Sequence, residues 1–268
     1  MNQVAESLVV ATRLTRDLNK ASTSLGQSEV RFLVDSYYMM QEYRKRSGNQ
    51  VRALNESVEP HDVILWLMAQ NETLEHQVKR ALSTYAEGHP VGIRMLSVVG
   101  IGPVITAGLL AHIDINQAPT VGHIWRFAGL DPTSKWNKGE KRPWNASLKT
   151  LCWKIGESFV KNKGRDGCFY GQLYDSRKLY ETGLNESGQY ADQAEAILKR
   201  TPSHAQKAIY ETGQLPAGHI HARCKRYTTK LFLAHLHEVW FREEFKREPP
   251  LPYPIAQLGH AHKLDSPF

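Results

Sequence analysis

The stretch Leu96–Ile113 reads LSVVGIGPVITAGLLAHI. A hydrophobic segment runs into Gly100-Ile101-Gly102, then Pro103, and continues through Val104, Ala107, Leu109 and Leu110. Gly100 and Gly102 open backbone angles closed to other residues and let the chain approach a ligand closely. Pro103 suits the first turn of a helix, where its missing N–H costs nothing. The unsatisfied N–H groups at that helix start, around Gly102 and Val104, lie at the positive end of the helix dipole and suit a phosphate oxygen. Ile101 is expected to point into the core, and Ala107 to let two helices approach. The pattern hydrophobic–Gly–hydrophobic–Gly, followed by a helix with a small residue, is that of a helix-hairpin-helix.

Working outward, the apolar spacing is helical on both sides of this hairpin. Stretches at 3–22, 28–46 and 60–85 place Leu8, Val30, Leu33, Tyr37, Leu67, Leu74 and Val78 among their apolar positions. Gly48–Glu59 is expected to connect the second and third. Met95–Val99 is the nearest strand candidate, and it is short. Ser147 is expected to cap a helix with Leu148, Leu151, Cys152, Ile155 and Phe159 on one face and Thr150, Lys154, Glu157 and Lys161 on the other, stopping near Gly164. Further helices are expected at 169–183, 189–200 and 202–212, with a long one from Pro216 to about Lys246. The Pro-rich tail beyond is expected to be extended. The fold class is therefore all-α, centred on the hairpin. Three regions follow: an N-terminal helical region at 1–90, the hairpin with a basic loop at 91–165, and a C-terminal helical region at 166–268.

The chain has 268 residues and a formal net charge of +7. Residues 135–165 carry nine Lys/Arg against two acids, a local excess equal to the total. So local a basic patch points to a polyanionic partner. Within it Lys135, Lys138, Lys141 and Arg142 alternate with Trp136 and Trp144: lysines neutralise phosphates, and indoles offer stacking faces to unpaired bases. Trp125 and Trp153 lie in apolar helical patterns and are expected in the core. On the long helix His219, Arg223, Arg226 and Lys230 form a stripe that could follow a phosphate backbone. Three HxH pairs (His219/His221, His235/His237, His260/His262) do not make a metal site. Side chains at i and i+2 diverge, and the first two pairs lie about 24 Å apart on a continuous helix. No metal and no cofactor are expected. The three cysteines have no CxxC spacing and suggest no disulfide framework. No apolar run reaches the ~18 residues of a membrane span, and MNQVAESLVV lacks a basic n-region, so a cytoplasmic protein without membrane contact is expected.

The segment GIGPVITAGLLAHI, followed after a spacer by WRFAGLDPTSKWNKGEKRPWNASLKTLCWKIGESF, resembles the C-terminal domain of the bridge-RNA-guided insertion-sequence transposases. The resemblance covers residues 95–162. It rests on the Gly-x-Gly-Pro hairpin, a helix ending in Gly-Leu-x-Pro, the basic loop and a helix of the type Leu-Lys-x-Leu. It implies a DNA-associated role in a mobile-element or phage setting. Members of that family carry an N-terminal RNase-H-like domain with strands and metal-binding acids, whereas residues 1–90 here read as helices. They also place a nucleophilic serine in a Ser-Gly step. The aligned stretch here reads Asn137-Lys138-Gly139, with Ser134 nearby.

The expected function is DNA binding through phosphates, by Gly100, Ile101, Gly102 and Val104 of the hairpin, by Lys135, Trp136, Lys138, Lys141 and Arg142 of the loop, and by Arg223, Arg226 and Lys230. Two alternatives remain: a strand-transfer enzyme using Ser134, and a protein-interaction scaffold. DNA, duplex or single-stranded, is the expected partner, with RNA and a second copy of the chain as further candidates.

Overall fold

In the computed structural model of the protein, the described residues are 13–55, 62–251 and 264–268. They contain eleven α-helices, two short 3₁₀ turns and no strand. The all-α expectation is met, and the strand candidate Met95–Val99 is instead the end of a helix and a turn. Residues 3–12 and most of the Pro-rich tail, with His260 and His262, lie outside the described residues. No described helix is long and apolar enough to cross a membrane. The chain divides into two compact units.

The first unit comprises the chain through Leu96 together with Gly102–Asp114. It holds α1 (Arg16–Ala21), α2 (Gln27–Asn55), α3 (Asp62–Glu87), α4 (Pro90–Leu96) and α5 (Pro103–His112). Helices α2 and α3 pack antiparallel, and α5 packs against both. Val30, Val34, Tyr37, Leu82, Val104, Ala107 and Ala111 form the shared core. Helix α5 is apolar all round and buried from Val104 to Ala111, as a central helix must be. Thr15 caps α1 by accepting from the Leu18 N–H. Helix α2 runs straight through Gly48, where a connector was expected. Tyr43, Ser47 and Val51 share a groove with Ile64, Leu67 and Met68 of α3. That packing outweighs the ~1 kcal/mol a helical glycine costs. Arg44 clamps Glu75 across the pair with two bonds, of 2.6 and 3.0 Å.

The second unit comprises Ser97–Ile101 and the chain from Ile115 onward. Its helices are α6 (Val121–Phe127), α7 (Ala146–Asn162), α8 (Phe169–Glu186), α9 (Ala191–Arg200), α10 (Lys207–Glu211) and α11 (Ala217–Phe245). Helix α11 is the axis, with α6, α7 and α8 packed on it. Phe159 stacks on Tyr170 with ring centroids 4.7 Å apart, and Phe232 meets both rings edge-on. Leu148, Leu151, Cys152, Ile155 and Phe159 are all buried, as their spacing required. The cap of α7 is Asn145, not Ser147: its side chain accepts from the Leu148 N–H at 2.8 Å. The helix expected over 202–212 is confined to 207–211. His204 Nδ1 accepts the Gln206 N–H at 3.1 Å, a local bond that competes with helix formation.

Three histidines of α11 are hydrogen-bonded to other elements. His237 donates from Nε2 to the Ala118 carbonyl, and His235 bridges Tyr170 and the Leu264 carbonyl. His221 Nδ1 accepts from the Tyr174 hydroxyl at 2.6 Å. All three cysteines are free and buried.

A buried carboxylate ties α8, α9 and α11 together. Glu181 is wholly enclosed and meets Arg177, Arg223 and the Tyr190 hydroxyl. Burial pushes its carboxyl up, but the bonds from Tyr190 and Arg177 and the two guanidinium charges hold it below the usual range. Glu181→Gln is expected to lower stability at neutral pH by about 2–4 kcal/mol, because two half-covered arginines lose their counter-charge. A depressed carboxyl contributes stability above its unfolded value and loses it as pH falls. Denaturant titrations from pH 7 to 3 should therefore show variant and parent converging below about pH 4.

Candidate nucleic-acid interface

The Gly100–Ile101 turn is held within the second unit. The Ile101 N–H closes onto the Val98 carbonyl at 2.9 Å, and the Ser158 hydroxyl donates to the Gly100 carbonyl at 2.5 Å. Gly100 has φ +100°, and a Cβ there would lie 3.1 Å from the Phe159 ring. Glycine is required on both counts. Gly102 precedes α5 in an extended conformation, with Pro103 at the helix start. The side chains of Ile101 and Val104 are buried, so only backbone groups of these residues can meet a ligand.

The loop between α6 and α7 is built by its own acids. Asp131 accepts from the Thr133 N–H and hydroxyl, and these bonds hold its carboxyl below the ordinary value. Glu140 accepts from the Asn137 backbone and side chain, while its carbonyl receives the Trp136 indole N–H at 2.8 Å. Gly139, at φ +94°, completes that turn. The Asn145 N–H bonds the Phe127 carbonyl and returns the loop to α6. Both loop acids are thereby occupied in shaping the loop, and neither is in an ion pair with a lysine. Among the described residues Lys135, Lys138, Lys141 and Arg142 are exposed and form no ion pair.

Each tryptophan of this unit's surface carries a cation. Arg142 lies 5.2 Å from the Trp136 ring centre, Lys149 lies 4.0 Å from that of Trp144, and Lys230 lies 4.2 Å from that of Trp125. Trp136 and Trp144 meet edge-on at 6.3 Å. Trp144 closes over Gly129, where φ is +64° and a Cβ would fall 2.8 Å from the indole. Partial burial and the charges of Arg142 and Arg226 lower the Lys149 ammonium from its usual value. The three cations are therefore close enough to act on one another.

The stripe on α11 is not a uniform row. Arg223 is engaged by Glu181 at 2.8 Å and lies 4.6 Å from the Tyr190 ring centre. The acid that pairs it stands on another helix, where no reading of α11 alone could find it. Lys230 sits on Trp125, whose indole N–H donates to the Lys230 carbonyl. Burial lowers its ammonium, while Asp131 acts in the opposite sense. Arg226 is exposed and in no ion pair among the described residues. Partial cover by its neighbours first, and the charge of Arg223 second, lower its guanidinium from the usual value.

Trp125 is half-buried, but Trp153 is 58% exposed, contrary to the expectation that it lies in the core. It stands three residues from Thr150 and four from Glu157, on the polar face of α7. That face was legible; the residue's apolar character obscured it. Lys149 was missed for want of a motif. No side chain among the described residues bonds the Ser134 hydroxyl, and no group of three or more His, Cys, Asp or Glu there could hold a metal ion.

Over 79 residues the chain is 33% identical to a protein of Streptomyces coelicolor (strain ATCC BAA-471 / A3(2) / M145) described as the insertion element IS110 uncharacterized 43.6 kDa protein. The match covers 28% of this chain and 20% of that protein's length. No family model matches the chain, and no solved structure matches it.

Gly129→Ala should disturb this surface directly. The added methyl meets Trp144 and Lys149, and the left-handed backbone is strained. A loss of about 1–3 kcal/mol in thermal unfolding is expected, with a changed near-UV tryptophan dichroism.

Proposed function

We propose that the protein binds DNA mainly through its phosphates, as a transposase-like component of a mobile element or phage. The observation that carries this reading is the set of unpaired cations on the loop and its neighbours: Lys135, Lys138, Lys141, Arg142 and Arg226. Similarity to an insertion-element protein supports the setting. The backbone N–H groups following Gly102 add a phosphate contact at the start of α5. Nothing in the loop is built to read a base edge, so backbone and shape dominate and sequence preference is weak.

The test is binding of labelled duplex and single-stranded DNA by fluorescence anisotropy, at several salt concentrations. Lys138→Glu combined with Arg142→Glu is expected to weaken affinity at least ten-fold at low salt. The slope of log K against log salt should become shallower by about 2, since two phosphate contacts are lost. An unchanged slope removes the loop from the interface.

A further inference from the structure

Trp153 is a large apolar side chain left in the open beside a charged surface. Lys149 precedes it by one turn on the same face of α7. Lys225 of α11 lies 5.4 Å from its ring centre, held there by Glu157. Gly156 makes this approach possible: a Cβ there would come within 3.2 Å of Lys225 and Thr229. Arg226, beside Lys225 in sequence, acts electrostatically on Lys149. Arg142 on Trp136, Lys149 on Trp144 and Lys225 by Trp153 thus make three ring–cation pairs in this unit.

We propose that Trp153 is a stacking platform for an unpaired nucleotide, with Lys149 and Arg226 neutralising the phosphates on either side. The proposal deepens the DNA-binding reading and rests on it. Duplex bases are stacked within the helix and offer no free face, whereas a single strand offers both a base face and a phosphate per nucleotide. An open indole among cations suits the single strand. A purely structural tryptophan would be covered, and Trp153 is more than half open.

The test uses the full chain with labelled dT20, rU20 and a 20-base-pair duplex. Trp153→Ala is expected to weaken binding of dT20 by roughly ten-fold, in the lower part of the range for loss of one stacked base. Duplex affinity should change less than about two-fold, and the salt slope should stay, because no phosphate contact is removed. Trp153→Phe should recover most of the loss. The side chain is exposed, so both variants should melt within a few degrees of the parent. Equal loss on duplex and single strand, or no loss with dT20, overturns the platform while the phosphate reading stands. Failure of the parent to bind any of the three at low salt overturns both. A loss with rU20 equal to that with dT20 assigns the site to the base and phosphate alone; a loss with one only assigns it to that sugar.

Discussion

The contact of Phe159 with Tyr170 and Phe232 fixes the second unit. These three rings come from α7, α8 and α11, and each is fully buried. Stacked and edge-on ring pairs are worth about 0.5–1.5 kcal/mol beyond the area they bury. Their greater effect is geometric. With Phe159 facing inward, the opposite face of α7 must face out, and that face carries Lys149, Trp153 and Glu157. Phe159 also backs Gly100, so the ring that orients the basic helix also supports the hairpin turn. Replacing Gly100 or shifting Phe159 would disturb both.

Electrostatics within this unit depend on where the acids are used. Glu181 is consumed by Arg177 and Arg223, Glu157 by Lys225, Glu140 and Asp131 by the loop backbone. None of these acids is paired with Lys135, Lys138, Lys141, Arg142 or Arg226. These contacts leave the net charge unchanged but decide which cations stay open. Arg223 shows the reverse case. It looks free on its own helix, yet a buried carboxylate from α8 holds it, and removal of that carboxylate would return a cation to the surface.

The helices were legible because their apolar residues recur at three and four. The buried face of α7 followed position by position. What escaped the sequence has specific physical causes. Gly48 suggested a break, but pairing along α2 and α3 overrode it. Ser147 suggested a cap, but Asn145, two residues earlier, has the extended backbone that a cap needs. Trp153 suggested core by composition although its register placed it on the polar side. Glu181, the acid that decides the state of Arg223, stands 42 residues away in the chain, and only the tertiary fold brings the two together. The Gly-x-Gly turn and the basic loop were visible as motifs, whereas the cations' partners were not.

Cations lying on indoles are restrained in a way that free surface cations are not. An exposed lysine or arginine is spread over many rotamers, and ordering each one on binding costs about 0.5–1.5 kcal/mol. A cation resting on an aromatic face at an exposed site gains about 0.5–1 kcal/mol. The two quantities are comparable, so the ring contacts of Arg142 on Trp136 and Lys149 on Trp144 offset much of that ordering cost. Their charge remains available, since an indole does not neutralise it. Lys135, Lys138 and Lys141 have no such support. On the proposed DNA-binding reading the two groups would divide the work: the unsupported lysines would attract a polyanion at long range, and the cations held on rings would contact it.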